Sequence, residues 1–282
     1  MSHVVAAAPV SPPRRTVVCA EALAWLEEQE TLPCVVTSLP DITEIGGPPL
    51  NVRGACLLAP GFLPPRADTL PACALSPSDA QTYRDFLQAT TALVTRKLRP
   101  GCVALFCQTN SLFAGTLIDK AACCTAGALS VGAPQLWHKV LLRSDVNSVK
   151  PGKLPCWSSL LAYASPLDAA DPQLHARGPV FPDVFHRGDT AWSRAIGVDA
   201  ALAACRFIKG RGGEEVLDMF CGTGTVLAAA NHVGLNATGV DLSPKRVRHA
   251  KVMELMQGPD GALVARRTTD RDVHAAQSDD DE

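Results

Sequence analysis

The residues best suited to chemistry in this 282-residue chain form a short run with one acid and two glycines near the carboxyl-terminal end. The run contains Asp218, Phe220, Cys221, Gly222 and Gly224. Apolar residues at 216–219 predict a strand, and the glycines permit the positive φ angles and close backbone approach of a ligand-binding turn. The alanine-rich segment 225–233 predicts a helix whose first amides point toward the end of that strand. We therefore expect a ligand-binding crevice at this turn.

A second acid follows at the spacing expected for a ribose contact. Residues 236–240 predict another strand, and Asp241 ends it about 20 residues beyond the loop, where an acid accepts hydrogen bonds from ribose hydroxyls. The loop lacks the Gly-x-Gly-x-x-Gly spacing of dinucleotide-binding folds and the lysine of a phosphate-binding loop. Asp218 suits a cationic ligand better than a pyrophosphate. An ordinary strand, turn and helix of an α/β protein is the alternative interpretation.

Residues 218–225 resemble the Asp-Pro-Phe-Cys-Gly-x-Gly-Thr signature of the nucleic-acid amino-methyltransferases, the family that includes the DNA adenine and cytosine-N4 methylases. Met219 replaces the usual proline. The resemblance implies S-adenosyl-L-methionine as the cofactor. The residues that it implies for cofactor binding are Asp218, Phe220, Cys221, Gly222, Gly224, Asp241 and Leu242.

The hydrophobic pattern predicts an α/β fold. Strands are predicted at 15–19, 34–37, 102–107, 136–142, 158–164, 216–219 and 236–240. Helices are predicted at 21–29, 79–98, 113–126, 199–208, 225–233 and 244–256. We expect a Rossmann-like, seven-stranded, mostly parallel sheet with helices on both faces, and the strands at 136–142 and 158–164 suggest an antiparallel hairpin at its edge.

The resemblance implies a circularly permuted order, in which the catalytic half precedes the cofactor half. The first predicted strand then corresponds to strand three of the methyltransferase sheet, the second to strand four, and the last two to strands one and two. We expect one domain at 14–257, preceded by a disordered leader at 1–13 and followed by a disordered, acidic-ended tail at 258–282. The domain divides into a catalytic half at 14–165, a connector at 166–183 and a cofactor half at 184–257.

The candidate catalytic segment, Ser38-Leu39-Pro40-Asp41, lies at the end of the second strand. It partly matches the family motif of Ser, Asp or Asn, two prolines and an aromatic. Ser38 and Pro40 match, whereas Asp41 stands where an aromatic would stack on a flipped base. The resemblance implies that Ser38 and a backbone carbonyl bind the amine to be methylated, and Asp41 or Glu44 could accept a proton. A plain proline turn with solvated acids is the alternative.

Two further segments are candidates for cofactor contact. Glu21 falls in a segment that looks like the family's adenosine-binding segment, although an acid at a helix N-terminus is common for dipole reasons alone. Just before the helix that leads to the glycine loop, segment 185–193 supplies further candidates, with core packing of Trp192 as the alternative. These candidates are Arg187, Gly188, Thr190, Trp192 and Ser193.

Composition limits the choice of partners and compartment. The net charge of −2 and the pI of about 6.4 leave no overall basic footprint for nucleic acid. Local basic stretches occur at 150–153, with Arg143 and His138, and at 245–251; a solvated surface is the alternative for both. The eleven cysteines show neither zinc-ligand spacing nor a disulfide framework, so we expect no metal site and a reducing, intracellular location. Cytoplasm or nucleus is favoured, with organelle targeting by the acid-poor leader left open. No apolar stretch is long enough for a membrane span.

The sequence thus predicts a methyltransferase that acts on an exocyclic amine of DNA or RNA, and it does not separate the two. One alternative is a small-molecule or protein acceptor, favoured by the missing aromatic and opposed by any basic rim around Ser38. The other is a non-catalytic subunit of the same fold, opposed by any open channel beside Ser38. Target recognition by a partner subunit is a further possibility, and the oligomeric state is left open.

Overall fold

The central element is an eight-stranded sheet, seen in a computed structural model that describes residues 12–45, 80–113, 116–145, 155–192 and 194–268. The strands in chain order are β1 (Arg15–Cys19), β2 (Cys34–Thr37), β3 (Val103–Gln108), β4 (Ser111–Phe113), β5 (Thr116–Ile118), β6 (Gln135–Leu142), β7 (Trp157–Ala164), β8 (Val184–His186), β9 (Glu215–Asp218), β10 (Asn236–Asp241), β11 (Met253–Gln257) and β12 (Leu263–Arg267). The α-helices are α1 (Ala22–Glu28), α2 (Ile42–Ile45), α3 (Ala80–Lys97), α4 (Lys120–Ser130), α5 (Val198–Gly210), α6 (Thr225–His232) and α7 (Pro244–Lys251).

The order of strands in the main sheet is β1-β10-β9-β2-β3-β7-β6-β8. All neighbours pair in parallel except at β7, which runs antiparallel to both β3 and β6. The last two strands of the sheet in chain order, β9 and β10, therefore lie between the first two, β1 and β2. This is the placement that the permuted order predicts, and the expected antiparallel hairpin of β6 and β7 is present.

Helices cover both faces of the sheet, so each central strand is buried on two sides, as is usual for parallel sheets. Successive β9 residues illustrate this: Val216 packs in the cluster that contains α5 and α6, and Leu217 packs in the cluster that contains α1, α3 and α4. The glycine loop after β9 is thus fixed by core packing from both faces. In the described ranges, no helix is long and apolar enough to cross a membrane.

Two element predictions before α5 are wrong: the number of strands in the main sheet and the start of the helix predicted at 113–126. The sheet has an eighth strand, β8, because the short segment 184–186 pairs with β6 although it is too brief to show a pattern. Residues 111–113 and 116–118 pair as the antiparallel strands β4 and β5 instead of starting a helix. The α4 helix begins only at Lys120, because the Asp119 side chain caps it by accepting a hydrogen bond from the amide of Ala122.

At the other end of the chain, the helix that was predicted to reach 256 ends at Lys251, and the ordered fold continues past 257. Strands β11 and β12 form an antiparallel hairpin, closed by a turn in which the Gly258 amide donates to the Ala262 carbonyl. A Pro-Asp-Gly sequence in this turn is a strong turn signal. The boundary expected at 257 is therefore wrong. Four segments lie wholly or mostly outside the described residues. They are the predicted leader, the Pro- and Gly-rich stretch that follows α2, the basic stretch at 150–153 and residues 269–282.

Candidate functional site

A cavity of about 200 Å³ opens where β9, β10 and β2 end, at the glycine loop. We call it the loop cavity. The predicted residues that line it are Glu21, Ser38, Pro40, Trp192, Asp218, Phe220, Cys221, Gly222, Asp241 and Leu242. Five other predicted residues do not line it: Asp41, Arg187, Gly188, Thr190 and Gly224.

The loop itself is held by backbone and carboxylate contacts. The Gly222 amide donates a 3.0 Å hydrogen bond to Asp241 Oδ2, and the Cys221 amide donates to the Val240 carbonyl. Gly222 has a φ of +53°, and a methyl group added there would meet only Trp192, at 3.9 Å. The loop therefore presents open backbone to the cavity at Gly222.

A glycine is needed at position 224 for a different structural reason. Its φ is +93°, and a Cβ atom at this position would lie 2.7 Å from the Cα atom of Ala250 in α7. The second glycine of the loop thus allows α7 to pack closely against the loop, and it does not line the loop cavity.

Asp218 is 3% exposed and joins the loop to the neighbouring strand. Its Oδ1 atom accepts hydrogen bonds from the Thr37 hydroxyl at 2.8 Å and from the Phe220 amide at 3.2 Å. Burial raises the pKa of the Asp218 carboxyl to about 7, and the bond from Thr37 acts in the opposite direction. A cation bound in the cavity would favour the ionised form of this carboxyl.

Asp241 orders the opposite wall. Its Oδ1 atom accepts from the Ser243 amide at 2.8 Å, its Oδ2 atom binds the Gly222 amide, and Arg246 Nη1 lies 3.9 Å from Oδ2. Burial raises the pKa of Asp241. The Arg246 guanidinium also lies 5.1 Å from the ring centroid of Trp192. Trp192 is half-buried and lines the loop cavity. The alternative that placed Trp192 in the core does not hold.

The loop cavity is acidic. Four carboxylates line it, against two guanidinium groups. The carboxylates are those of Glu21, Glu44, Asp218 and Asp241, and the guanidinium groups are those of Arg194 and Arg246. The Thr223 and Thr225 hydroxyls on the same wall are buried and find no hydrogen-bond partner among the described residues. The cavity thus offers negative charge and free hydroxyls to a ligand.

A second cavity of about 150 Å³, which we call the adjoining cavity, shares part of its wall with the loop cavity. The shared residues are Ser38, Leu39, Glu44, Arg194, Ala195 and Ile196. Asp41 lines only the adjoining cavity, together with Lys120, Arg143 and Arg187. Of the three predicted catalytic residues, Ser38 thus faces both cavities, Pro40 the first and Asp41 the second.

The Ser38–Asp41 segment is tied down by side chains from three other elements. The Tyr83 hydroxyl donates to the Pro40 carbonyl at 2.8 Å, and Lys120 Nζ donates to the Leu39 carbonyl at 3.2 Å. The Ser111 hydroxyl donates to Asp41 Oδ1 at 2.7 Å. These contacts are more than a plain solvated turn would have, and they fix the position of Ser38.

Lys120 is the most unusual of these partners, because it is 3% exposed. Burial lowers the pKa of its amine, and the nearby Asp41 carboxylate acts in the opposite direction. Lys120 is not among the residues predicted from the sequence. A lysine directly after a helix-capping aspartate is an ordinary pattern, so nothing in the sequence marks it.

The other predicted contacts have mixed outcomes. Glu21 accepts hydrogen bonds from the Leu23 and Ala24 amides, so it caps α1 as the dipole interpretation expected, and it also lines the loop cavity. Arg187 lies at the adjoining cavity. Ser193 lies outside the described residues. Over the part of the chain that the structure describes, no group of three or more His, Cys, Asp or Glu residues could hold a metal ion.

Comparison with known proteins gives matches only by structure. No protein-family model matches the sequence, and no curated protein does. Among solved structures, a putative DNA modification methylase from Thermus thermophilus, complexed with S-adenosyl-L-methionine, is 22% identical with a TM-score of 0.57, covering 84% of this chain and 93% of that chain.

Two further methylases match over similar lengths. PvuII DNA methyltransferase, described as cytosine-N4-specific, is 13% identical with a TM-score of 0.56, covering 85% of this chain and 88% of that chain. The M1.HpyAVI–SAM complex is 10% identical with a TM-score of 0.51, covering 84% of this chain and 97% of that chain. At such identities the likeness establishes the fold, and the predicted resemblance to DNA methylases is confirmed at that level.

Proposed function

We propose that this protein is an S-adenosylmethionine-dependent methyltransferase whose acceptor is an exocyclic amine of a nucleic acid. The observation that carries the proposal is the meeting of two cavities of opposite charge at Ser38. The loop cavity is acidic, whereas the adjoining cavity has four basic side chains against two carboxylates. A cationic methyl donor and a polyanionic acceptor would each find matching charge.

The loop cavity fits the cofactor by its chemistry. When bound, S-adenosylmethionine supplies a methyl group activated by a positively charged sulfur. The ionised Asp218 carboxylate would stabilise that positive charge from a buried position, and Gly222 exposes backbone for close approach. Asp241 would accept hydrogen bonds from ribose hydroxyls, while it keeps its own bonds to Gly222 and Ser243.

Ser38 would orient the acceptor, since it is one of the residues that line both cavities. Its hydroxyl can accept a hydrogen bond from an amine and so direct the nitrogen lone pair toward the loop cavity. Methylation of an amine releases a proton. Asp41, held by Ser111 in the adjoining cavity, is the carboxylate that we assign to accept it. Glu44 is engaged in an ion pair with Arg194 at 3.3 Å.

The contacts favour this proposal over its two alternatives. A non-catalytic subunit should have its acceptor side filled by side chains, whereas a cavity of about 150 Å³ adjoins Ser38. A small-molecule or protein acceptor would not call for a basic rim, whereas four cationic side chains line that cavity. The solved methylases of the same fold also have nucleic-acid modification in their descriptions.

The first experiment is calorimetric titration of the full chain with S-adenosylmethionine, with Asp241→Ala as the control. We expect micromolar binding that the substitution abolishes. Transfer of tritiated methyl to adenine- or cytosine-containing single strands of DNA and RNA then tests the acceptor, with Ser38→Ala expected to retain cofactor binding and lose transfer. The absence of binding by the intact protein would reject the proposal.

A further inference from the structure

Two arginines are brought together by the pairing of β6 with β8. These strands run parallel, with Leu142 opposite His186, and the Arg187 amide donates to the Leu142 carbonyl at 3.0 Å. Arg143 directly follows β6 and Arg187 directly follows β8, so the two arginines lie side by side at the same end of the paired strands. Both line the adjoining cavity.

The pair lacks a counterion in the described part of the chain. No ion pair there involves Arg143 or Arg187, and Arg143 Nε is buried without a hydrogen-bond partner. Burial lowers the pKa of Arg187, and the charge of Arg143 lowers it further. Two adjacent, partly buried cations without an anion are unfavourable by themselves, so the arrangement calls for an anionic ligand.

Lys120 is a third cation on the wall of the adjoining cavity. Burial raises the pKa of the Cys107 thiol on the same wall to about 11, although the charges of Arg187, Arg143 and Lys120 all act to lower that pKa. The thiol near the three cations therefore stays neutral near pH 7 and supplies no counterion. The carboxylates on this wall, Asp41 and Glu44, already have partners in Ser111 and Arg194.

We infer that Arg143 and Arg187 bind a phosphate group of the acceptor in the adjoining cavity. Planar guanidinium groups match phosphate oxygens in paired hydrogen bonds, and two of them suit its charge and its several oxygens better than they suit a carboxylate. The hydroxyls of Thr109 and Ser158 hydrogen-bond to each other at 2.6 Å on the same wall, which leaves one hydroxyl proton for a phosphate oxygen. The acceptor nucleotide would then be held by its phosphate at the two arginines, with its amine directed to Ser38.

This inference rests on the proposed function, because the cavity is assigned to the acceptor through Ser38. The phosphate could belong to a phosphodiester of a strand or to the terminal phosphate of a mononucleotide. Both sources present the same chemistry to the arginines. Matched probes separate them: 5′-AMP and 5′-CMP against adenosine and cytidine, and ten-nucleotide strands of DNA and RNA without terminal phosphates.

The test is calorimetric titration of these probes into the full chain at low salt, with Arg143→Gln and Arg187→Gln as the variants. Arg206→Gln is the control, because Arg206 is an exposed arginine of α5 that lines neither cavity. We expect at least one phosphate-bearing probe to bind at least tenfold more tightly than the nucleosides. Each cavity variant should lose at least tenfold in that affinity, and the control should not change.

Cofactor titration of the same samples keeps the two proposals separate. If both cavity variants bind S-adenosylmethionine normally and lose the phosphate probe, the inference is supported. Nucleosides binding as tightly as nucleotides, or nucleotide binding that is unchanged in both variants, would overturn it while leaving cofactor binding intact. Arginine-dependent phosphate binding in a chain that fails to bind the cofactor would instead reject the proposed function alone. Circular dichroism of each variant confirms that it is folded.

Discussion

The hydroxyl of Thr37 donates a 2.8 Å hydrogen bond to the carboxylate of Asp218, across 181 residues of sequence. The bond joins the end of β2, which leads into the Ser38 segment, to the end of β9, which leads into the glycine loop. One carboxylate therefore couples the position of the acceptor segment to that of the loop. Its charge state follows from the same contact, because the Thr37 bond holds the pKa of Asp218 lower than burial alone would set it.

Substitution of Asp218 by Asn should weaken binding of S-adenosylmethionine by about tenfold or more, because the buried negative charge is lost while an amide oxygen can still accept from Thr37. The fold should persist. Calorimetric titration measures the affinity. Thr37→Val is the matched comparison, since it removes the hydrogen bond and keeps the carboxyl. Equal affinities of Asp218→Asn and the unsubstituted protein would show that this charge does not act on the cofactor.

Cofactor affinity should rise as the pH increases from 6 to 8, because the pKa of Asp218 is about 7 and the cationic ligand prefers the ionised carboxyl. Asp241, whose pKa burial also raises, acts in the same direction. Titrations across this range measure the effect. In Thr37→Val the rise should move to higher pH, because the hydrogen bond that favours ionisation is gone. A flat profile would contradict the assignment.

Stability of the ligand-free protein should change in the opposite sense. The folded pKa of Asp218 exceeds its ordinary value of 3.8, so the folded state binds more protons between these two pH values. The free energy of unfolding should therefore fall as the pH rises from about 4 to about 7. Urea unfolding of the unsubstituted protein and of Asp218→Asn measures this, and the decline should be smaller in the variant.

The parts of this molecule that sequence predicts are those set by local pattern. Most main-sheet strands, apart from β8, have apolar runs that made their existence predictable. The order of β9 and β10 beside β1 followed instead from the resemblance of the loop at Asp218–Gly224 to the methylase signature. The hairpin β11–β12 was missed because the helical pattern that begins at Pro244 was extended through Met256. A nearby Pro-Asp-Gly turn was the signal that could have corrected it.

The charged wall of the adjoining cavity was beyond such prediction. Lys120 looks like an ordinary residue after a helix cap, whereas Arg187 was a candidate cofactor contact and Arg143 a member of a local basic stretch. Nothing in the sequence places the three residues at one cavity. Only the pairing of β8 with β6 brings the two arginines together. Strand β8 has three residues, which is too few for a periodic pattern. Long-range pairing thus decides the chemistry of this site.

Substitution of Lys120 by Met should lower methyl transfer by about tenfold or more, with cofactor affinity unchanged. The buried amine donates to the Leu39 carbonyl, and without it the Ser38 segment loses one of its fixed contacts. Transfer of tritiated methyl to the most active oligonucleotide measures the rate. Lys139→Met is the matched control, because Lys139 is also buried but pairs with Asp183 away from both cavities. Equal loss of transfer in both variants would indicate general destabilisation.

Substitution of Gly224 by Ala should destabilise the protein by about 2–4 kcal/mol, because two costs combine. A left-handed φ of +93° costs a non-glycine residue about 1 kcal/mol or more, and the added Cβ would lie 2.7 Å from the Ala250 Cα atom. Gly212→Ala isolates the first cost, since Gly212 has a similar φ of +85° and no atom within 4 Å of the added Cβ. Urea unfolding should therefore give a larger loss for Gly224→Ala. Equal losses would show that α7 moves freely away from the loop.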